Sequence, residues 1–351
     1  MKSDKTIIFG NNFNIARFSG DIKNFSNNLQ TVIFKSNLTE NEITEIVNDS
    51  TVKLVILNQN RPISVFDNLN LIRSIRKDIF LVVLLESNKT IPKEQYSEAL
   101  NLLKTKSCNL VFSYNIWSSL SMVVVPEEAV YYVDFDCNKS LSGLFEILNF
   151  RVNLTFTRSK VVDGNIIPWD SNEIPQSFKT IIDYCIENNA YKPFNNSTAG
   201  HFAIKKNNNT FLTSIRRTNF NNIESSGLVK VVTEGRHNVI AYGAKPSVGG
   251  QSQRIIFEQH PDLDCILHFH CPIKSNSKVP IASQKEYECG SHECGLNTSK
   301  NLGIFDNLHA VYLDNHGPNI VFNSNINPQE VISFVNDNFD LSNKAGEVIF
   351  N

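Results

Sequence analysis

The chain has 351 residues, 41% of them hydrophobic and 19% charged, with a formal net charge of -2. At about 150 residues per domain, that length suggests two domains with real cores, and the charge is too low for a disordered chain. Nothing basic points to nucleic acid or an anionic membrane surface, no apolar run approaches the roughly 20 residues of a membrane span, and seven cysteines without an export signal imply reduced thiols in the cytoplasm.

Short apolar strands alternate with helical spans through the first 135 residues. Strands are predicted at Thr6–Phe9, Thr31–Phe34, Val52–Leu57, Ile79–Leu85 and Asn109–Phe112. Helices are predicted at Gly20–Leu29, Glu40–Asn48, Ser64–Arg76 and Gln95–Lys104. This alternation implies a parallel sheet covered on both faces, with Val123–Val125 and Ala129–Val133 as added edge strands. Leu141–Asn149 reads as a helix and Arg151–Thr157 as a strand. The turn-rich stretch Pro168–Pro175 places a domain boundary between Phe150 and Gln176.

Beyond it, Ser177–Asn188 is an amphipathic helix. Gly200–Lys205 and Thr210–Thr213 read as a hairpin, and Val229–Thr233 and Val239–Tyr242 as further strands. Ser252–Gln259 is helical, Cys265–His270, Ala310–Leu313 and Asn319–Phe322 are strands, and Pro328–Phe339 is a closing helix with proline in its first turn. The reading is therefore α/β. Residues 1–150 form a Rossmann-like or flavodoxin-like domain, 151–175 a linker or crossover, and 176–351 an α/β/α domain on a mainly antiparallel sheet.

The N-terminal sheet has the architecture of nucleotide-binding folds without their signatures. Its first strand is followed by Gly10 alone, where a dinucleotide fingerprint needs Gly-x-Gly-x-x-Gly. Its third strand ends Leu57-Asn58-Gln59-Asn60, with no acid to accept a phosphoryl group. Fold alone assigns this domain no role.

Chemistry is concentrated in the second half. In Leu267-His268-Phe269-His270-Cys271-Pro272, residues two apart on a strand face the same side, so His268 and His270 can offer two imidazoles to one ion such as Zn²⁺. Asp314-Asn315-His316-Gly317 ends another apolar strand, and His316 would complete a three-histidine site with an open position. The competing readings are a chance pair and a turn histidine beside glycine. Cys289-Gly290-Ser291-His292-Glu293-Cys294 suggests a second site with Cys265 and Cys271. However, alternation points those two cysteines away from the histidines, and the spacing is not that of a zinc finger.

From about Gln176 to Asn338 the chain resembles the class II aldolase/adducin family. The resemblance rests on the His-x-His before Pro272, the preceding His260-Pro261-Asp262 turn, Asn315-His316-Gly317, the turn Ser197-Thr198-Ala199-Gly200-His201, and Lys245-Pro246-Ser247. It implies an α/β/α sandwich, Zn²⁺ or another divalent metal on His268, His270 and His316, and a phosphorylated sugar or related hydroxy-carbonyl compound as substrate. It also implies a homo-oligomer, a tetramer in many members. Thr198, Gly200, Ser214, Arg216, Arg217 and Ser247 fall where the family binds substrate.

The departures matter as much. An ungapped reading puts Gly249 where the family has its acid–base glutamate, and glycine transfers no proton. His201 replaces the asparagine of the phosphate-binding turn, and Arg216-Arg217 stand where a glycine is expected. His201 and Glu293 are the alternative proton-transfer residues. Two functions follow: a zinc-dependent enzyme for aldol cleavage, epimerisation or dehydration, or a catalytically silent binding or assembly module.

Overall fold

A computed structural model of the chain describes residues 4–9, 32–35, 39–59, 62–76, 78–106, 108–194, 196–247 and 250–350. Two compact units emerge. The first runs to Asn153 and takes in Phe350, and the second runs from Leu154 to Ile349.

The first unit contains β1 (Lys5–Phe9), β2 (Val32–Lys35), α1 (Glu40–Asn48), β3 (Val52–Gln59), α2 (Pro62–Ile75) and β4 (Phe80–Ser87). It continues with α3 (Pro92–Lys106), β5 (Leu110–Asn115), β6 (Ser121–Val124), β7 (Val130–Asp134) and α4 (Cys137–Arg151). The sheet order is β2-β1-β3-β4-β5-β6-β7, parallel through β5 and antiparallel after it. The first five strands have the flavodoxin-like order. Their unbroken apolar runs reflect burial on both faces, as at Leu54–Leu57 and Leu81–Val83. Thr39 and Glu42 cap the start of α1 reciprocally, a capping box. The helix expected at Gly20–Leu29 lies outside the described residues.

One expectation is corrected here. Arg151–Thr157 is not a strand. Helix α4 continues to Arg151, whose guanidinium lies 3.1 Å from the Glu127 carboxylate with both side chains fully buried. That pair pins the last helical turn, and strand β8 begins only at Arg158.

The second unit opens with β8 (Arg158–Val162), so residues 151–175 contribute a strand to its sheet and are more than a linker. Next come α5 (Gln176–Glu187), β9 (Pro193–Phe194), β10 (Ser197–Thr198), β11 (His201–Asn207), β12 (Thr210–Ser214) and α6 (Ile223–Ser226). They are followed by β13 (Leu228–Glu234), β14 (Asn238–Tyr242), α7 (Gly250–Gln259), β15 (Cys265–His268), β16 (Ile281–Ala282) and α8 (His292–Lys300). The unit ends with β17 (Gly303–Phe305), β18 (Leu308–Leu313), β19 (Gly317–Phe322) and α9 (Pro328–Asn338). The main sheet has the order β16-β18-β19-β15-β11-β12-β13-β14-β8, with β17 on β18. It is antiparallel except at its two ends, where β8 joins β14 and β16 joins β18 in parallel.

Alternation along the strands builds two cores. Phe202, Ile204, Leu212, Cys265, Leu267, Ile320 and Phe322 pack with Phe178, Ile181 and Ile182 of α5 and Val331 and Val335 of α9. On the opposite face Ala203, Phe211, Val229, Ile266 and Val321 pack with Ile256 and Phe257 of α7. The fold is therefore α/β/α. Phe202, Tyr191 and Phe220 meet edge to face inside the first core, with ring centroids 4.9–5.6 Å apart.

Candidate metal centre

Strand β15 lies between β11 and β19 at the middle of the sheet. Its last residue, His268, pairs in register with His201 on one side and Asn319 on the other. Alternation puts His201 and His268 on the same face as Ala203 and Ile266, the face covered by α7. Their rings lie 4.7 Å apart.

His316 arrives from the turn between β18 and β19, whose paired ends are Leu313 and Gly317. The turn is closed by the His316 N–H on the Leu313 carbonyl at 2.9 Å, and Asn315 holds a φ of 55°. Gly317 sits at φ 144°, and a Cβ there would lie 2.0 Å from the Phe269 carbonyl oxygen. Only glycine lets this hairpin press so close to the 269–270 backbone.

The three predicted ligands do come together. Ring centroids are 4.6 Å apart for His268 and His316, 4.4 Å for His270 and His316, and 5.0 Å for His268 and His270. One donor atom from each lies within 4.8 Å of the other two, and the residues are 1%, 7% and 1% exposed. The route differs from the one expected. Strand β15 stops at His268, so His270 reaches the cluster from the segment after the strand and not by alternation along it.

Hydrogen bonding sets the tautomer of His268. Its Nδ1 is 2.7 Å from the Pro318 carbonyl oxygen, which can only accept. Nδ1 therefore carries the proton and Nε2 keeps its lone pair. That Nε2 is buried with no hydrogen-bond partner among the described residues. Burial, followed by the neighbouring histidines, holds the His268 imidazole well below its usual pKa and so neutral. An orphaned neutral nitrogen among two other imidazoles fits a borderline metal such as Zn²⁺.

The remaining predicted residues fall into three groups. Thr198 and Gly200 lie just before β11. The Thr198 hydroxyl accepts from the Phe220 N–H at 3.1 Å. Gly200 has a φ of 110°, and a Cβ on it would lie 2.5 Å from the His268 carbonyl oxygen. Ser214 and Ser247 lie side by side at the end of β12, where the Ser247 N–H donates to the Ser214 carbonyl at 2.9 Å. Arg216 and Arg217 follow on the same segment, tied by the Arg216 N–H on the Lys245 carbonyl. Both are exposed, and neither forms an ion pair among the described residues.

Glu293 takes the third path. Its carboxylate accepts from the Thr155 N–H at 3.0 Å and the Thr155 hydroxyl at 2.8 Å, which fastens the start of the second unit to α8. It does not join the histidine group. Gly249 lies outside the described residues. Cys294 sits against Gln284, and no cysteine belongs to a metal-ligand cluster among the described residues.

Two further features lie outside the ligand and substrate-binding set read from the residues. One is the Pro318 carbonyl, whose only sequence signal is a proline two positions after His316. The other is Gln253, fully buried on α7, whose amide nitrogen donates to His201 Nδ1 and whose Oε1 lies 2.9 Å from the Thr213 hydroxyl.

A family model described as the class II aldolase and adducin N-terminal domain matches residues 181–275. The second unit therefore carries a class II aldolase/adducin-like domain. Among solved structures, an L-fuculose 1-phosphate aldolase aligns at 20% identity over 48% of this chain and 83% of its own, with a TM-score of 0.36. A Saccharomyces cerevisiae co-crystal of the histidine phosphotransfer protein Ypd1 and the receiver domain of Ssk1 aligns at 14% identity over 32% of this chain and 78% of its own, with a TM-score of 0.24. A homoserine dehydrogenase from S. aureus aligns at 12% identity over 97% of each chain, with a TM-score of 0.21. No curated protein matches the sequence.

Proposed function

We propose that the second unit is a zinc-dependent, aldolase-like enzyme that acts on a sugar phosphate or a related hydroxy-carbonyl compound. The observation that carries this reading is the buried set of His268, His270 and His316, with His268 Nε2 left as an orphaned lone pair. The family match supports an aldolase-like fold, and the reaction we read from it is aldol cleavage, epimerisation or dehydration through an enediolate. A divalent ion held by the three imidazoles would polarise a carbonyl oxygen and stabilise the negative charge that grows as a C–C bond breaks or a proton leaves carbon. Arg216 and Arg217 supply charge-assisted donors for the phosphate, and Ser214, Ser247 and Thr198 line the approach. We place the protein in the cytoplasm as a homo-oligomer. No disulfide joins any of the seven cysteines, which suits a reducing compartment.

A second reading is a silent binding or assembly module. It is favoured by the donor cluster itself, which includes no carboxylate among the described residues. Gly249 stands where the family has its acid–base glutamate.

Elemental mass spectrometry on untagged protein tests the first reading. About one zinc per chain is expected, and His268→Ala and His316→Ala should lose it. Phosphorylated sugars are then screened for turnover. Turnover that persists unchanged in His268→Ala would sink the mechanism. If wild type is inert and Gly249→Glu creates activity, the module reading stands.

A further inference from the structure

Thr213, Gln253 and His201 form a buried file that runs from the sheet to the edge of the histidine cluster. Thr213 and Gln253 are fully buried, and His201 is 5% exposed. The Thr213 hydroxyl has one proton and two acceptors near it, Gln253 Oε1 at 2.9 Å and the Phe202 carbonyl at 3.1 Å. Given to the nearer oxygen, it orients the amide with Oε1 toward Thr213 and Nε2 toward His201. An amide nitrogen can only donate, so His201 Nδ1 must accept. The neutral imidazole then carries its proton on Nε2.

This is the reverse of His268, its cross-strand partner, where a backbone carbonyl puts the proton on Nδ1. Two rings 4.7 Å apart therefore hold opposite tautomers. One presents a lone pair and the other an N–H.

We propose that the Thr213–Gln253 pair makes His201 a positioning donor. It withholds a fourth imidazole lone pair from the three-histidine centre and instead presents Nε2–H to an anionic oxygen ligand bound beside it. Two consequences follow. The centre keeps an open position that a fourth histidine ligand would fill, and a negative oxygen placed there meets a neutral, pre-oriented donor. This inference rests on the metal reading of the previous subsection, but its first step, the tautomer, does not.

The test has two arms. In the first, metal-free protein labelled with ¹⁵N on histidine is studied by long-range ¹H–¹⁵N correlation. His201 is expected as the Nε2–H tautomer and His268 as Nδ1–H. In Gln253→Glu, where a carboxylate oxygen replaces the amide N–H that faces His201, a proton should appear on His201 Nδ1. An Nδ1–H tautomer in wild type overturns the proposal.

The second arm uses cobalt(II)-loaded protein, its visible spectrum, and acetohydroxamate as the oxygen ligand. His201→Leu should keep its cobalt affinity within about threefold and lose roughly tenfold in acetohydroxamate affinity, the scale of one hydrogen bond to a charged group. His201→Gln keeps an N–H near the position of Nε2 and should recover most of that loss. Weakened cobalt binding in His201→Leu would make His201 a ligand and overturn the proposal. Unchanged acetohydroxamate affinity would overturn it as well, and either result leaves the metal reading standing. No cobalt uptake by wild type, with His201 still Nε2–H, overturns the metal reading and the donor role and leaves only the tautomer relay.

Discussion

Replacing Gly317 with alanine probes how the centre is assembled. Two costs arise. The first is conformational, since φ is 144° and an L-residue held in such a sparsely populated region costs roughly 1–3 kcal/mol. The second is steric. The new Cβ would lie 2.0 Å from the Phe269 carbonyl oxygen and 3.1 Å from His270 Cα, both backbone atoms, so the hairpin must retreat by more than 1 Å. Overpacking of this kind costs roughly 1–3 kcal/mol more. The sum is about 2–6 kcal/mol, or a melting temperature lower by roughly 5–20 °C for a unit of this size. The retreat also carries His316 away from His270, which sits just across the contact. Zinc retention against a chelator should fall by about tenfold or more. Gly235 supplies the control, because its φ is 68° and nothing lies within 4 Å of a Cβ there. Gly235→Ala should cost only the backbone part, roughly 1–2 kcal/mol. Thermal unfolding and chelator competition on both variants separate the two costs. If Gly317→Ala melts no lower than Gly235→Ala and keeps its zinc, the close approach does not hold the centre together.

Three further outcomes are expected. Glu127→Ala should destabilise the first unit by about 3–5 kcal/mol in urea unfolding, because it removes the carboxylate 3.1 Å from the fully buried Arg151 guanidinium. Glu293→Ala should lower stability by about 1 kcal/mol through the loss of its two bonds to Thr155, with zinc content unchanged; a loss of zinc would return this carboxylate to the centre. Substituting both Arg216 and Arg217 with alanine should weaken binding of inorganic phosphate by about tenfold in calorimetry, and wild-type affinity should fall with added salt. Phosphate binding that is indifferent to both would remove these arginines from the site.

The sequence was most legible where burial is two-sided. Strands β3, β4 and β5 are nearly continuous apolar runs, and their alternation with amphipathic helices leaves few arrangements open. Edge elements were hard to read for the opposite reason. Strand β8 is Arg158-Ser159-Lys160-Val161-Val162, largely exposed, and nothing in its pattern marks it as part of the sheet. Arg151–Thr157 has the pattern of a strand, and the buried carboxylate that faces Arg151 at the end of the helix is invisible in one dimension. At the centre, the identities of His268, His270 and His316 were readable, but the geometry that unites them was not. His270 gets there by leaving the strand, and His201 meets His268 only through cross-strand register. Glu293 is ambiguous in one dimension, because a carboxylate near a glycine turn looks the same whether it moves a proton or caps a loop.

The place of β15 in the sheet also says when the centre can exist. β11 with β12, β13 with β14, and β18 with β19 are neighbours in sequence as well as in space, so each can pair early through short loop closures. Strand β15 has no such neighbour. It joins β11 on one side and β19 on the other across long stretches of chain, and only then do His268, His270 and His316 share a location. The nascent chain therefore offers an ion at most the local His268–His270 pair, and the full donor set needs β15 joined to β19 so that His316 meets them. Binding energy captured there is spent on holding two halves of the sheet together, so an ion would act as a latch on late folding as well as an aid to chemistry.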